Sequence, residues 1–207
     1  MARILSSMDL SDLLEPERIR CHCSVQSKKR TLQTLAELLG ESLRARARET
    51  ADSGSDEHKD NDGETRSRKI RGLRKNTEKN ADKADSADET LSDMQILDAL
   101  IGRERLGSTG LGHGVGLPHS RLGNIDEPIA AFVTLDEGVD YESADGQKVD
   151  IVMGLLVPQE CNDEHLKILA QLTKRFSDAT LRENLRSFTD AEHLYAHISA
   201  LEPAAPG

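Results

Sequence analysis

The 207-residue sequence predicts an α/β fold, a mixed β-sheet flanked by helices on both sides. Three observations point there. Two short apolar runs, PIAAFVTL at 128–135 and VDIVMGLLVP at 149–158, are rich in β-branched residues and lack polar alternation, as strands buried on both faces do. Segments with leucines at helical spacing stand before and after them. Strands and helices do not alternate strictly, so the sheet is expected to be mixed.

In chain order, RIRCHCSV at 18–25 alternates well enough for a strand. Alternation would put Cys21 and Cys23 on one face and His22 on the other. From Ser27 to Leu43, the residues Leu32, Leu35, Ala36, Leu39 and Leu43 fall in helical register behind Ser27 as N-cap. Residues 44–89 then carry 12 basic and 12 acidic side chains, with Ile70 and Leu73 as the only large aliphatic ones. So little apolar surface cannot offset an ordering cost of about 1–2 kcal/mol per residue, so this stretch is expected to be a disordered charged insertion. Within it, RSRKIRGLRK at 66–75 has six basic residues in ten, which suits either a solvated linker or docking on an anionic partner.

A capping box at Ser92 and Gln95 opens the next helix, with Met94, Leu97, Leu100 and Ile101 as its apolar face. A glycine-rich stretch follows, then the two strands, joined by a polar connection with a turn at Asp145 and Gly146. Three helices are predicted to close the chain. The first is NDEHLKILAQLTKRFS behind an Asn162 or Asp163 cap; SDATLRENLRSF and TDAEHLYAHISAL follow, and EPAAPG reads as a frayed tail.

Composition narrows the function. With 36% hydrophobic residues, no 18-residue apolar run and no leader-like N-terminus, the chain reads as cytoplasmic with no membrane insertion. Three cysteines make no disulfide framework, and CHC without a second cysteine pair favours structural thiols over a metal site. The net charge of −10 lies outside the neutral 44–89 stretch, where 15 basic residues face 25 acidic ones, so nucleic acid is an unsuited partner.

The stretch GSTGLGHGVGLPHSR, residues 107–121, holds the candidate chemistry. Its glycines expose amide groups, but it lacks the Gly-Lys-Ser/Thr ending of a nucleotide loop. Pro118 fixes the direction of His119, whose neutral imidazole could attack phosphorus and form a phosphohistidine. Arg103, Ser108 and Thr109 suit phosphoryl oxygens, and His165 suits an orienting role. The same pattern fits a histidine that merely caps a strand. A metal-dependent hydrolase using His113, His119 and His165 lacks a carboxylate at ligand spacing.

GRERLGSTGLGHGVGLPHSR closely resembles the active-site stretch of the fructose/mannitol-class enzyme IIA proteins of the bacterial phosphoenolpyruvate phosphotransferase system, its nitrogen-regulatory members above all. QSKKR, LLVP and HLKIL add to the likeness, which covers about residues 8–43 and 90–200 as one domain. The resemblance implies a regulatory phosphocarrier without a cofactor or bound metal. His119 would be the phosphoacceptor through its remote nitrogen, Arg103 would stabilise the phosphoryl group, and His165 would be a second active-site histidine. It also implies an HPr-like donor and regulated partners such as potassium-transport or nitrogen and carbon regulators. A binding module with vestigial phosphotransfer is the alternative. His113 stands where the family usually has asparagine, Gly116 and Ser120 where Ala and Gly are commoner, and the 44–89 insertion exceeds the usual connection. An ionisable His113 beside the acceptor would make transfer pH-dependent near 6–7.

Overall fold

The computed structural model describes residues 10–53, 91–161 and 164–201. The elements run α1 (Leu10–Leu13), a 3-10 turn (Pro16–Arg18), β1 (Ile19–Cys23), α2 (Lys28–Ser53), α3 (Asp93–Glu104), β2 (Gly110–Gly112), β3 (Val115–Gly116), β4 (His119–Leu122), β5 (Ile129–Val139), β6 (Val149–Pro158), α4 (Glu164–Phe176), α5 (Ala179–Ser187) and α6 (Ala191–Ser199). The sheet is mixed, in the order β1-β5-β6-β3-β2, and β4 also pairs with β6. β5 and β6 are antiparallel, while β1 lies parallel to β5 and β3 and β4 parallel to β6.

Each strand of the central pair feeds two cores. Ala130 and Phe132 of β5, with Ile151, Met153, Leu155 and Val157 of β6, pack on one face under α1, α4, α5 and α6. Ile129, Ala131, Val133, Val152 and Leu156 pack on the other under α2 and α3. Burial on both faces is what removes the polar alternation from these strands. At Gly154 a Cβ would come within 3.1 Å of Leu35, so this glycine lets α2 lie close on the sheet.

The local signals locate most elements. Ser92 accepts from the Gln95 amide and Gln95 closes the capping box on Ser92. Asp178 and Asp190, one residue on from the Ser and Thr that open the two segments, cap α5 and α6. The Asp145 turn forms, with Gly146 at φ 68° and its amide on the Ser143 carbonyl at 2.9 Å. β2 and α1 had no distinguishing pattern, and β5 runs on to Val139 through residues that read as connection.

Two expectations are corrected. α2 continues ten residues beyond Leu43, into the stretch read as disordered, and ion pairs accompany the start of this extension: Arg44 meets Asp93 and Arg46 meets Glu15, each at 2.6 Å. The rest of the insertion, 54–89, with the basic cluster at 66–75, lies outside the described residues, as do Asn162, Asp163 and the tail 202–207. Secondly, Cys21 and Cys23 do not share a face. His22 adopts φ 54°, and three residue steps of β1 span two of β5 between Arg20 and Cys23. This bulge turns Cys21 toward one core and Cys23 toward the other. Burial pushes the Cys21 thiol up to about 11, that of a structural thiol.

Arg18 ties these layers together at 1% exposure. Its guanidinium donates to the Ala130 carbonyl at 2.9 Å, the Leu13 carbonyl at 3.2 Å, Ser42 Oγ at 2.7 Å and the Glu15 carboxylate. Arg18→Met strands these acceptors, and urea denaturation is expected to show a loss of about 3–5 kcal/mol; a change under roughly 1 kcal/mol would show that the buried arginine is dispensable.

Candidate active site

The site is built where α3 ends and the chain turns back along β6. β2 and β3 pair across Gly110 and Gly116, joined by a tight turn with Gly112, His113 and Gly114 at φ 89°, 55° and 80°. The chain then follows the edge of β6, with Val115 beside Ile151 and, after the Leu117-Pro118 interruption, His119 beside Leu155. Pro118 has no amide to give, but its carbonyl accepts from Leu155 at 2.9 Å, so the chain keeps its course into β4.

Both nitrogens of the half-buried His119 ring are engaged. Nδ1 lies 2.9 Å from the Leu117 carbonyl, and Nε2 lies 3.1 Å from Arg103 Nε. A carbonyl only accepts and a guanidinium only donates. Nδ1 therefore carries the proton, and Nε2 turns its lone pair toward Arg103. Arg103 is itself anchored by Nη1 on the Gly107 carbonyl at 3.1 Å. Burial, above all, lowers the pKa of His119 below the ordinary 6.5; the Leu117 bond opposes this, and the charges of Arg103 and His165 reinforce it. The arrangement is an imidazole lone pair beside a cation.

Ser108 and Thr109 both engage protein partners through their hydroxyls. Ser108 Oγ donates to the Tyr141 carbonyl, and Thr109 Oγ1 donates to the Glu104 carboxylate. Their hydroxyl protons hold the loop rather than stand open to a phosphoryl group. Glu104 also accepts from the Thr109 amide at 3.0 Å and pairs with Lys28. Lys28 in turn reaches the Tyr141 carbonyl at 3.0 Å.

His165, 8% exposed, meets Arg121, whose Nη2 lies 3.0 Å from its Nδ1 and 2.9 Å from its Nε2. Leu117 and Arg103 hydrogen-bond the His119 ring, and the charge of His165 bears on it as well. His113 sits at the tip of the β2-β3 turn, level with Asp150 and Ile151 of β6. Four strand residues, about 13 Å, separate Ile151 from Leu155 beside His119. His113 is held there by its backbone, donating to Asp145 Oδ2 at 2.7 Å and accepting from Arg186 at 3.1 Å. Asparagine and histidine both tolerate this left-handed backbone, which explains the exchange. The three histidines of the metal reading are thus not gathered together, and the described residues contain no group of three or more His, Cys, Asp and Glu that could hold a metal ion.

Glu104, Lys28, Arg121 and the Leu117 carbonyl were not anticipated. Glu104 had a signal: an acidic residue in the last helical turn opposes the helix dipole and calls for a cationic partner. A histidine NMR titration is expected to put the His119 midpoint below 6.5. Arg103→Met should raise that midpoint only in part, because burial remains; a midpoint at or above the ordinary value in the unaltered protein would contradict the buried, cation-flanked ring.

Residues 77–200 match the family model described as phosphoenolpyruvate-dependent sugar phosphotransferase system, EIIA 2. A nitrogen regulatory protein of Pseudomonas aeruginosa is 44% identical over 100 residues, 48% of this chain and 65% of that relative. One from Bradyrhizobium diazoefficiens is 30% identical over 95% of this chain and 98% of its own length. The crystal structure of nitrogen regulatory protein IIA-Ntr from Neisseria meningitidis superposes with a TM-score of 0.65 at 26% identity, covering 91% of this chain and 98% of that one. The chain belongs to the enzyme IIA type 2 family of the phosphoenolpyruvate-dependent sugar phosphotransferase system, as a member of its nitrogen-regulatory type.

Proposed function

We propose that the protein is a phosphohistidine phosphocarrier, taking a phosphoryl group on His119 Nε2 from a small HPr-like carrier and signalling through its phosphorylation state. The single tautomer of His119, with its Nε2 lone pair turned to Arg103, supports this reading most directly. In the transfer, the Nε2 lone pair forms the new P–N bond as the donor's P–N bond breaks, and the donor ring keeps that electron pair. Nδ1 retains its proton on the Leu117 carbonyl, which stabilises the positive charge the ring acquires. Arg103 must leave Nε2, and its Nη1 anchor on Gly107 keeps it near the equatorial phosphoryl oxygens. Among the described residues no helix is long and apolar enough to cross a membrane, in keeping with a regulator that works in the cytoplasm on nitrogen, carbon or potassium-transport proteins.

Incubation with phosphoenolpyruvate, enzyme I and the HPr-like carrier should give an acid-labile phosphate that mass spectrometry places on His119 and that His119→Ala abolishes. Undiminished labelling of that variant would overturn His119 as the acceptor, and absence of label in the unaltered protein would leave a binding module whose phosphotransfer is vestigial. Arg103→Met should slow labelling roughly a hundredfold. His113→Asn, remote from the acceptor, should leave the pH profile of labelling unchanged.

A further inference from the structure

Both groups that touch the His119 ring trace back to one carboxylate. Arg103, on Nε2, is the sequence neighbour of Glu104. Leu117, on Nδ1, is reached through Thr109: the Glu104 carboxylate accepts from Thr109 N and Oγ1, and the Thr109 carbonyl accepts from the Leu117 amide at 3.0 Å. The Leu117 carbonyl then holds the ring at 2.9 Å. Glu104 therefore stands at the head of a hydrogen-bonded line that ends on the acceptor, and it also fixes the helical end from which Arg103 projects.

An acidic group so placed requires a counter-charge. The Glu104 side chain is 7% exposed, sits in the last turn of α3 and meets Lys28 Nζ at 2.5 Å. Lys28, 19% exposed in its side chain, is at the start of α2 and lies over the Tyr141 ring, 5.1 Å from its centroid. It shares the Tyr141 carbonyl with Ser108. The pair thus joins α2, α3, the Tyr141 segment and the glycine-rich loop at one point.

We propose that the Glu104–Lys28 pair is a positioning device for phosphoryl acceptance, which holds His119 in the Nδ1-protonated tautomer through Thr109 and Leu117. The proposal rests on His119 being the acceptor. Glutamine at 104 could still accept one bond from Thr109, but its amide nitrogen cannot accept a second and does not attract Lys28. The ring would then sample the tautomer with its proton on Nε2, which has no lone pair for phosphorus.

The test uses full-length, 15N-histidine-labelled Glu104→Gln protein, with two readouts. Long-range 15N–1H spectra report the tautomer of His119, and the reconstituted relay reports the labelling rate. In the unaltered protein the Nδ1–H form should dominate; in Glu104→Gln the two tautomers should average, and labelling should slow roughly tenfold. The charged groups that bear on His119 are Arg103 and Glu104 from α3 and His165 from α4, so removing the one anion among them should also lower the ring's titration midpoint. An unchanged tautomer overturns the proposal whether or not the rate falls, and so does an unchanged rate with averaged tautomers. Should Glu104→Gln fail to fold, Lys28→Met is read the same way. If the unaltered protein takes no phosphate on His119, the assigned function falls, while the tautomer comparison still shows whether Glu104 sets the ring.

Discussion

The site depends on an asymmetry of hydrogen bonding: one side of the His119 ring meets a group that can only accept, the other a group that can only donate. Leu117 and Arg103 thereby leave a single tautomer, and with it a single nitrogen from which the ring can react. The rest of the architecture keeps those two partners in place. β6 fixes the course of 115–122 on its edge, the end of α3 delivers Arg103, and the core that Ile96, Leu97 and Leu100 share with β5 and β6 holds α3 against the sheet.

The glycine-rich stretch divides into two parts with separate physical roles. Residues 112–114 form a turn in which three successive positive φ angles are needed, and Asp145 and Arg186 clamp its backbone from outside. Residues 107–110 approach the Tyr141–Ser143 segment so closely that a Cβ at Gly110 would stand 2.1 Å from Ser143 Oγ. Glycine thus serves chain reversal at one end and close contact at the other. His113 belongs to the first part, where its backbone amide and carbonyl hold the turn to Asp145 and Arg186.

The fold was legible wherever burial writes a repeating pattern. Leu32 to Leu43, the capping box at Ser92 and Gln95, and the unbroken apolar runs of β5 and β6 each reflect local physics that survives in the assembled structure. The rest depended on long-range partners. Arg44 to Arg46 look like linker until Asp93 and Glu15 are placed beside them, and the face of Cys23 is reversed by the conformation of His22. In the site, His119 and Arg103 stood out by residue type. The hydrogen-bond partners of Ser108, Thr109 and His165 did not, since a hydroxyl or imidazole suited to phosphate suits a carboxylate, a carbonyl or an arginine equally well.

The resting geometry also bears on the direction of transfer. In the proposed phosphocarrier role, Arg103 occupies Nε2 before any phosphoryl group arrives, so acceptance would require the guanidinium to give up a neutral acceptor. What it gains is a doubly charged one, and hydrogen bonds to ionised groups are roughly twice as strong as neutral ones. Because Nη1 stays on Gly107, the exchange needs a rotation rather than a displacement of the side chain, and little ordering cost is added. The bond from Arg103 Nε also meets a need of the ring itself: a half-buried imidazole lone pair without a donor would be an unsatisfied acceptor, and Arg103 satisfies it.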